Sequence, residues 1–182
     1  MQFMAAGLRH LVRRSESAFP ADELTPLQWT ALQFFGLANT VSRTVSGFAS
    51  YNATSRGTAS QVIKQLESRG YVRRLRSPDD GRSAEIRLTA AGRQMLVAMQ
   101  GGGLADAINQ LARADQQVLA RLVRQLLNQV AEGSDGGSLG TCRDCRCLQQ
   151  DSRSGPHCLR MDRPLRQDEL DAVCVLHERS VR

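Results

Sequence analysis

Apolar positions along the chain change their spacing several times, and each change marks an element. Phe3, Met4, Leu8, Leu11 and Val12 share one helical face over residues 3–18, with Arg9, Arg13 and Arg14 off it. That spacing predicts a short amphipathic helix, broken at Phe19 and Pro20. Thr25 followed by Pro26 predicts an N-cap with proline at the first helical position. The helix it opens carries Leu27, Trp29, Leu32, Phe34, Phe35 and Leu37 and fades at Ala38 and Asn39. Two short helices follow. The first, near Thr44–Ser50, presents Val45, Phe48 and Ala49; the second, about Arg56–Arg69, turns Ala59, Val62, Ile63 and Leu66 inward. Gly70 ends it as a C′ glycine. Ser55, Arg56, Thr58, Ser60, Gln61 and Lys64 fall on the outward side of this second helix.

The period then drops from 3.6 to 2, the spacing of a strand. Tyr71–Arg76 and Ala84–Leu88 read as two strands joined by a turn at Ser77–Arg82, and Arg73, Arg74, Arg76, Arg82 and Arg87 decorate the hairpin. Thr89 caps a helix over Ala90–Gln100, which Gly101, Gly102 and Gly103 interrupt. Residues 104–131 are predicted helical, with Val118, Leu119, Leu122, Val123, Leu126, Leu127 and Val130 in a wide apolar stripe. Such a stripe requires burial, within its own chain or against a partner subunit. Residues 133–140 have the composition of a flexible Gly/Ser linker. Further on, Asp168–Arg179 reads as helical, with Leu170, Val173, Cys174 and His177 on one face.

Composition narrows the function. The chain has 182 residues, 41% of them hydrophobic and 23% charged, which supports a packed core. Its net charge of +6 and pI near 9.6 favour a polyanionic partner, nucleic acid or an anionic membrane. No apolar run is long enough to span a bilayer. The first residues lack the basic and apolar regions of a signal peptide, so a cytoplasmic location is expected. Structural disulfides are rare there. A thiol oxidoreductase is the contrasting class. The chain has no Gly-rich nucleotide loop, no Ser/His/Asp set and no βαβ pattern around its cysteines, and it is not expected to be an enzyme.

A helix, a short turn, a second helix with a polar basic outer face and an Arg-rich hairpin form the order of a winged helix-turn-helix. The second helix fits the major groove, and its early residues reach base edges. Hairpin guanidinium groups can sit on phosphates or in the narrow minor groove. Ser55, Arg56, Thr58 and Ser60 are the expected base or phosphate readers, Lys64 holds the backbone, and Arg74, Arg76 and Arg82 serve the wing. The stretch from Ser55 to Arg74, the Asp80-Gly81-Arg82 turn and Leu88-Thr89-Ala90-Ala91-Gly92 together resemble the MarR family of transcriptional regulators, over about Phe3–Glu132. The resemblance implies a homodimer built by the terminal helices and a roughly palindromic double-stranded DNA operator. It also implies a minor-groove role for Arg82, beside which an ion pair with Asp79 or Asp80 could shape the turn. A small-molecule effector is left open.

All five cysteines lie beyond residue 141: Cys142, Cys145, Cys147, Cys158 and Cys174. Thiolates at two- and three-residue spacing can converge on one metal centre. Few large aliphatic residues lie in 133–182, so this part needs a metal staple or a docking surface. Cys142-x-x-Cys145-x-Cys147-Leu148 with Cys158 downstream resembles the binuclear iron–sulfur motif of SoxR, from a different helix-turn-helix family. It implies a [2Fe-2S] cluster on Cys142, Cys145, Cys147 and Cys158, although the last spacer is longer here and Cys174 is a substitute ligand. Arg143, Arg146, Arg153, Arg160 and Arg163 would offset the cluster's charge. Tetrahedral zinc on Cys142, Cys145, Cys174 and His177 is the main alternative, and a metal-free thiol switch is the third. A buried structural role for Cys174, and a core-edge role for His177, stand beside these.

The expected architecture is mostly α with a small β-hairpin wing, a dimeric winged helix-turn-helix plus a Cys-rich tail. Residues 1–132 form the DNA-binding and dimerisation domain, 133–140 the linker and 141–182 the metal- or cluster-binding module. The tail is expected to act by altering its packing on the dimerisation helices.

Overall fold

The computed structural model describes residues 2–17, 24–76, 84–98, 103–131, 138–151 and 155–178. Helix α1 (Gln2–Ser17) is followed by α2 (Pro26–Leu37), α3 (Val45–Tyr51) and α4 (Arg56–Ser68). Each of the last three starts on a hydroxyl that accepts a backbone N–H: Thr25 from Gln28 at 3.3 Å, Thr44 from Gly47 at 2.9 Å and Ser55 from Thr58 at 3.1 Å. Gln28 returns the bond to the Thr25 N–H at 2.9 Å, which completes a capping box. Strands β1 (Val72–Arg76) and β2 (Ala84–Leu88) pair antiparallel with Val72 opposite Leu88 and Arg76 opposite Ala84. The turn between them, including Arg82, lies outside the described residues. Helix α5 (Ala90–Ala98) starts on Thr89, whose hydroxyl accepts the Gly92 N–H.

Residues 104–131 form two helices where the spacing predicts one: α6 (Leu104–Asn109) and α7 (Arg113–Ala131). The side-chain amide of Gln116 donates to the carbonyls of Asn109 and Leu111, satisfying the broken turn. The apolar stripe of α7 is bare. Val118, Leu122, Val123 and Leu126 are all more than 40% exposed, and Leu8, Leu11 and Val12 of α1 about half exposed.

The C-terminal part is β structure. Strand β3 (Ser138–Thr141) pairs antiparallel with β7 (Val173–His177), and β4 (Leu148–Asp151), β5 (Gly155–Cys158) and β6 (Arg163–Pro164) form a second small sheet. Two expectations are corrected here. Ser138, Leu139 and Gly140 are strand, not linker. Asp168–Glu178, the described part of the expected helix, is not a helix but the end of a 3-10 turn at Gln167–Glu169 followed by β7. Alternation explains the second correction. Val175 packs into the winged-helix core, while Cys174 belongs to a second cluster with Cys142, Leu165 and Leu170. A helix would put Val173, Cys174 and His177 on one face; the strand divides them. The tail thus gains its apolar support by docking. Leu139, Val173, Val175 and Leu176 join the core that Trp29, Phe34, Phe35 and Phe48 build.

Candidate DNA-reading surface and cysteine cavity

Helix α4 buries Ala59, Val62, Ile63 and Leu66 and exposes Arg56, Thr58, Gln61 and Lys64, while Ser60 is half-buried. The Ser55 and Thr58 hydroxyls lie 2.9 Å apart on the exposed first turn. The Arg56 guanidinium donates to Ser46 Oγ of α3, its Nε at 2.9 Å, which ties the two helices of the pair together. Arg74, expected on the wing, has a partner within the chain. Its Nε meets the Glu67 carboxylate at 3.1 Å and its backbone N–H also donates to Glu67, so it fastens β1 to α4. Its half-buried side chain is turned to that carboxylate because Glu67, on the last turn of α4, faces the strand. Arg76 lies at the end of β1, with its side chain outside the described residues. The register adds a residue the site reading left out. Arg73 sits directly opposite Arg87 and both are exposed. Like charges opposed across strands are destabilising unless an anion lies between them. Arg87 is partly compensated by a two-pronged contact with Glu85 at 2.7 and 2.9 Å.

The five cysteines are all free, and all five line one cavity of about 10 Å³ together with Val41, Leu148, Arg160, Met161, Leu165 and Leu176. That volume accommodates roughly one water-sized group and no organic molecule. Local turns make the convergence. The Cys145 N–H donates to the Cys142 carbonyl at 3.1 Å, and the Leu148 N–H to the Cys145 carbonyl at 3.1 Å. Cys158 stands opposite Leu148 and Arg163, and the Leu159 N–H donates to the Cys147 carbonyl at 2.8 Å. Cys174 stands opposite Gly140. Among the described residues, no three His, Cys, Asp or Glu side chains are close enough to hold a metal ion as they stand.

Cys142 and Cys174 share a hydrogen bond. The bond from the Cys142 thiol, against the opposing effect of burial, lowers Cys174 to about 6, with Asn39, the Leu176 N–H and Ser42 assisting. Cys142 is correspondingly pushed up, first by that bond and then by burial. Backbone and side-chain donors also point at sulfur: the Glu178 N–H at Cys145 Sγ (3.4 Å) and Asn39 Nδ2 at Cys142 Sγ (3.3 Å).

The zinc set with His177 is not assembled. Cys174 lines the cavity, whereas the buried His177 ring lies against Gly140, with its Nε2 3.2 Å from the Asp144 carbonyl. Strand alternation is the cause, since residues three apart on β7 face opposite ways. The arginines expected to offset cluster charge are largely engaged elsewhere. Arg143 pairs with Asp171 at 2.6 Å, and Arg146 and Arg160 both meet Glu178, at 2.6 and 2.5 Å; of these, Arg160 alone lines the cavity. Arg153 lies outside the described residues.

The module sits against the connection between α2 and α3. The Asn39 N–H donates to the Val173 carbonyl at 2.9 Å, and the Val175 N–H to Ser42 Oγ at 3.2 Å. The Thr40 N–H donates to Glu169 Oε1 at 2.9 Å, and the Thr40 hydroxyl reaches the same oxygen. Contacts with α7 exist as well, Arg124 to Asp144 at 2.5 Å and Ser138 to Asn128 at 3.1 Å. Sequence reading missed Asn39, Ser42 and Glu169, whose partners lie 103 to 133 positions away.

A capped reading helix, a partner helix braced to it and a two-stranded wing define a winged helix-turn-helix protein. Residues 23–83 match the MarR family. A probable transcriptional regulator from Pseudomonas aeruginosa is 30% identical, covering 67% of this chain and 95% of its own, with a TM-score of 0.46. Over residues 23–83 this chain is therefore similar to the MarR family. In fold it resembles a MarR transcriptional regulator from Methanosarcina mazei Go1 (TM-score 0.57, 16% identity, 74% of this chain and 100% of the other). It also resembles the transcriptional regulator SlyA (TM-score 0.55, 18% identity, 71% and 95%). No curated protein matches.

Proposed function

We propose that this chain is a homodimeric, DNA-binding transcriptional regulator whose cysteine cavity senses redox or iron–sulfur status. The observation that carries the DNA reading is the exposed polar first turn of α4 beside a wing on which Arg73 and Arg87 oppose each other. Ser55, Arg56 and Thr58 reach base edges or phosphates, Lys64 meets the backbone, and Arg82 extends the wing toward the minor groove. Two copies related by a two-fold axis read half-sites about one helical turn apart, about 34–36 Å.

The sensing reading is supported by five free thiols around one largely apolar cavity, two of them already accepting N–H donors. Cys142, Cys145, Cys147 and Cys158 would hold a [2Fe-2S] cluster, with Cys174 as the fifth thiol, once their side chains part to open a cavity now sized for one water-sized group. Such a cluster supplies a redox couple tuned by hydrogen bonds to its sulfurs. A metal-free thiol switch has a specific observation of its own, the placing of Cys142 and Cys174 as free thiols in one cavity.

One set of measurements separates these. Protein purified without oxygen is expected to be coloured and to contain iron and sulfide; colourless protein with stoichiometric zinc removes the cluster. Specific DNA binding is expected to weaken steeply with salt. An Arg82→Ala variant should bind less tightly and lose about one unit of the salt slope. Binding indifferent to that substitution would count against the wing's role.

A further inference from the structure

One buried side chain touches both a cysteine of the cavity and the helix-turn-helix. Asn39 has no exposed surface and sits where α2 turns into the connection to α3. Its Oδ1 accepts the Ser42 N–H at 3.0 Å. Because that partner is a donor, the amide can present only its NH₂ in the other direction, and there Nδ2 meets Cys142 Sγ at 3.3 Å. The turn so held continues into both DNA-facing elements. The Ser42 carbonyl lies beneath Gly47 of α3, where an added Cβ would come within 2.0 Å. The next carbonyl, of Arg43, accepts the Ile86 N–H of wing strand β2 at 2.7 Å.

The choice of acceptor matters. A neutral thiol sulfur is a weak acceptor, and an amide donor needed only to shape a turn would be better satisfied by a carbonyl. A sulfur bearing negative charge, as a thiolate bound to metal, accepts a stronger, charge-assisted bond. The strength of the Asn39–Cys142 bond therefore depends on what the cavity holds.

We propose that Asn39 is a positioning residue that couples the cysteine cavity to the helix-turn-helix. Binding of a thiophilic metal or cluster strengthens its bond to the Cys142 sulfur, tightens residues 39–43 and raises DNA affinity. The proposal rests on the reading that the cavity takes a metal or cluster through its thiolates.

The test uses the full chain, reduced and metal-free, then supplied with zinc ions alone or with iron and sulfide. Metal content, amide exchange at Ser42, Arg43 and Ile86, and affinity for a duplex selected by the wild type from a random library are measured together. Loaded wild type should exchange at these amides about tenfold more slowly, the effect of one charge-assisted hydrogen bond, and bind the duplex more tightly. Asn39→Asp keeps the acceptor for Ser42 and removes the donor to sulfur. It should take up metal yet show neither change. Asn39→Ser, whose hydroxyl is too short to reach the sulfur, serves if the buried charge prevents folding. Wild type that takes up metal without altered exchange overturns the coupling and leaves the cavity reading standing. A variant that responds like wild type overturns the role of Asn39. Failure of both zinc and iron with sulfide to bind removes the cavity reading, and the proposal with it.

Discussion

Two glycines in the DNA-reading half meet opposite surroundings. A Cβ at Gly47 would lie 2.0 Å from the Ser42 carbonyl oxygen and 3.2 Å from Thr44 Oγ1, so α3 can approach its connection only without a side chain there. A Cβ at Gly57, on the exposed first turn of α4, would meet nothing closer than Ser55 Oγ at 3.7 Å. Gly47→Ala is therefore expected to cost about 1–3 kcal/mol through overpacking against backbone. Gly57→Ala should stabilise by about 0.5–1 kcal/mol, since alanine restricts the unfolded chain and favours helix. Denaturant midpoints of the two variants should move in opposite directions. Equal shifts would contradict the packing described at Gly47.

At the level of elements, the 3-10 turn ahead of β7 acts as a clamp on the α2–α3 connection. Burial of the Glu169 carboxyl works against its ionisation. Bonds from the Thr40 hydroxyl and from the Arg166 and Thr40 N–H groups outweigh that and hold it below the usual 4.5. A carboxylate depressed in the folded state contributes stability above its unfolded value, and loses it as pH falls through the folded value. Acidification below about pH 4.5 should thus loosen the clamp, and Glu169→Gln should flatten the stability profile there. Unchanged acid sensitivity in that variant would show that other carboxylates dominate. The local signals around these elements were legible to different degrees. Thr25-Pro26, the Thr89 cap and the change of period at Tyr71 marked the helices and hairpin, because caps and alternation act within a few residues. Val173–His177 misled: Leu170, Val173, Cys174 and His177 have helical spacing. What decides for strand is pairing with Ser138–Thr141 and bonds to Asn39 and Ser42, none of them nearby in the chain. The crowding of the cysteines could be read from their spacing. The donors aimed at their sulfurs could not, since Asn39 stands 103 residues before Cys142.

For the whole molecule, the exposed apolar faces of α1 and α7 stand out among the described residues. Val118, Leu122, Val123, Leu126 and Val130 recur on one side of a 19-residue helix that buries none of its described side chains within the chain. In the homodimer proposed above, a second copy would cover this stripe. Leu122→Glu combined with Leu126→Glu should yield a monomer by sedimentation and weaken duplex binding, because one subunit reads one half-site. A double variant that stays dimeric would move the interface elsewhere. The last strand carries a different consequence. Val175 closes onto Ser42 across 133 residues, and contacts this distant in sequence form late, after nearer ones have collapsed. As the chain leaves a ribosome, the three reading-head helices emerge long before the strand that braces them. A chain released before that strand is made would carry helix α4 but lack the brace, so completion of the helix-turn-helix is tied to synthesis of the cysteine-bearing end.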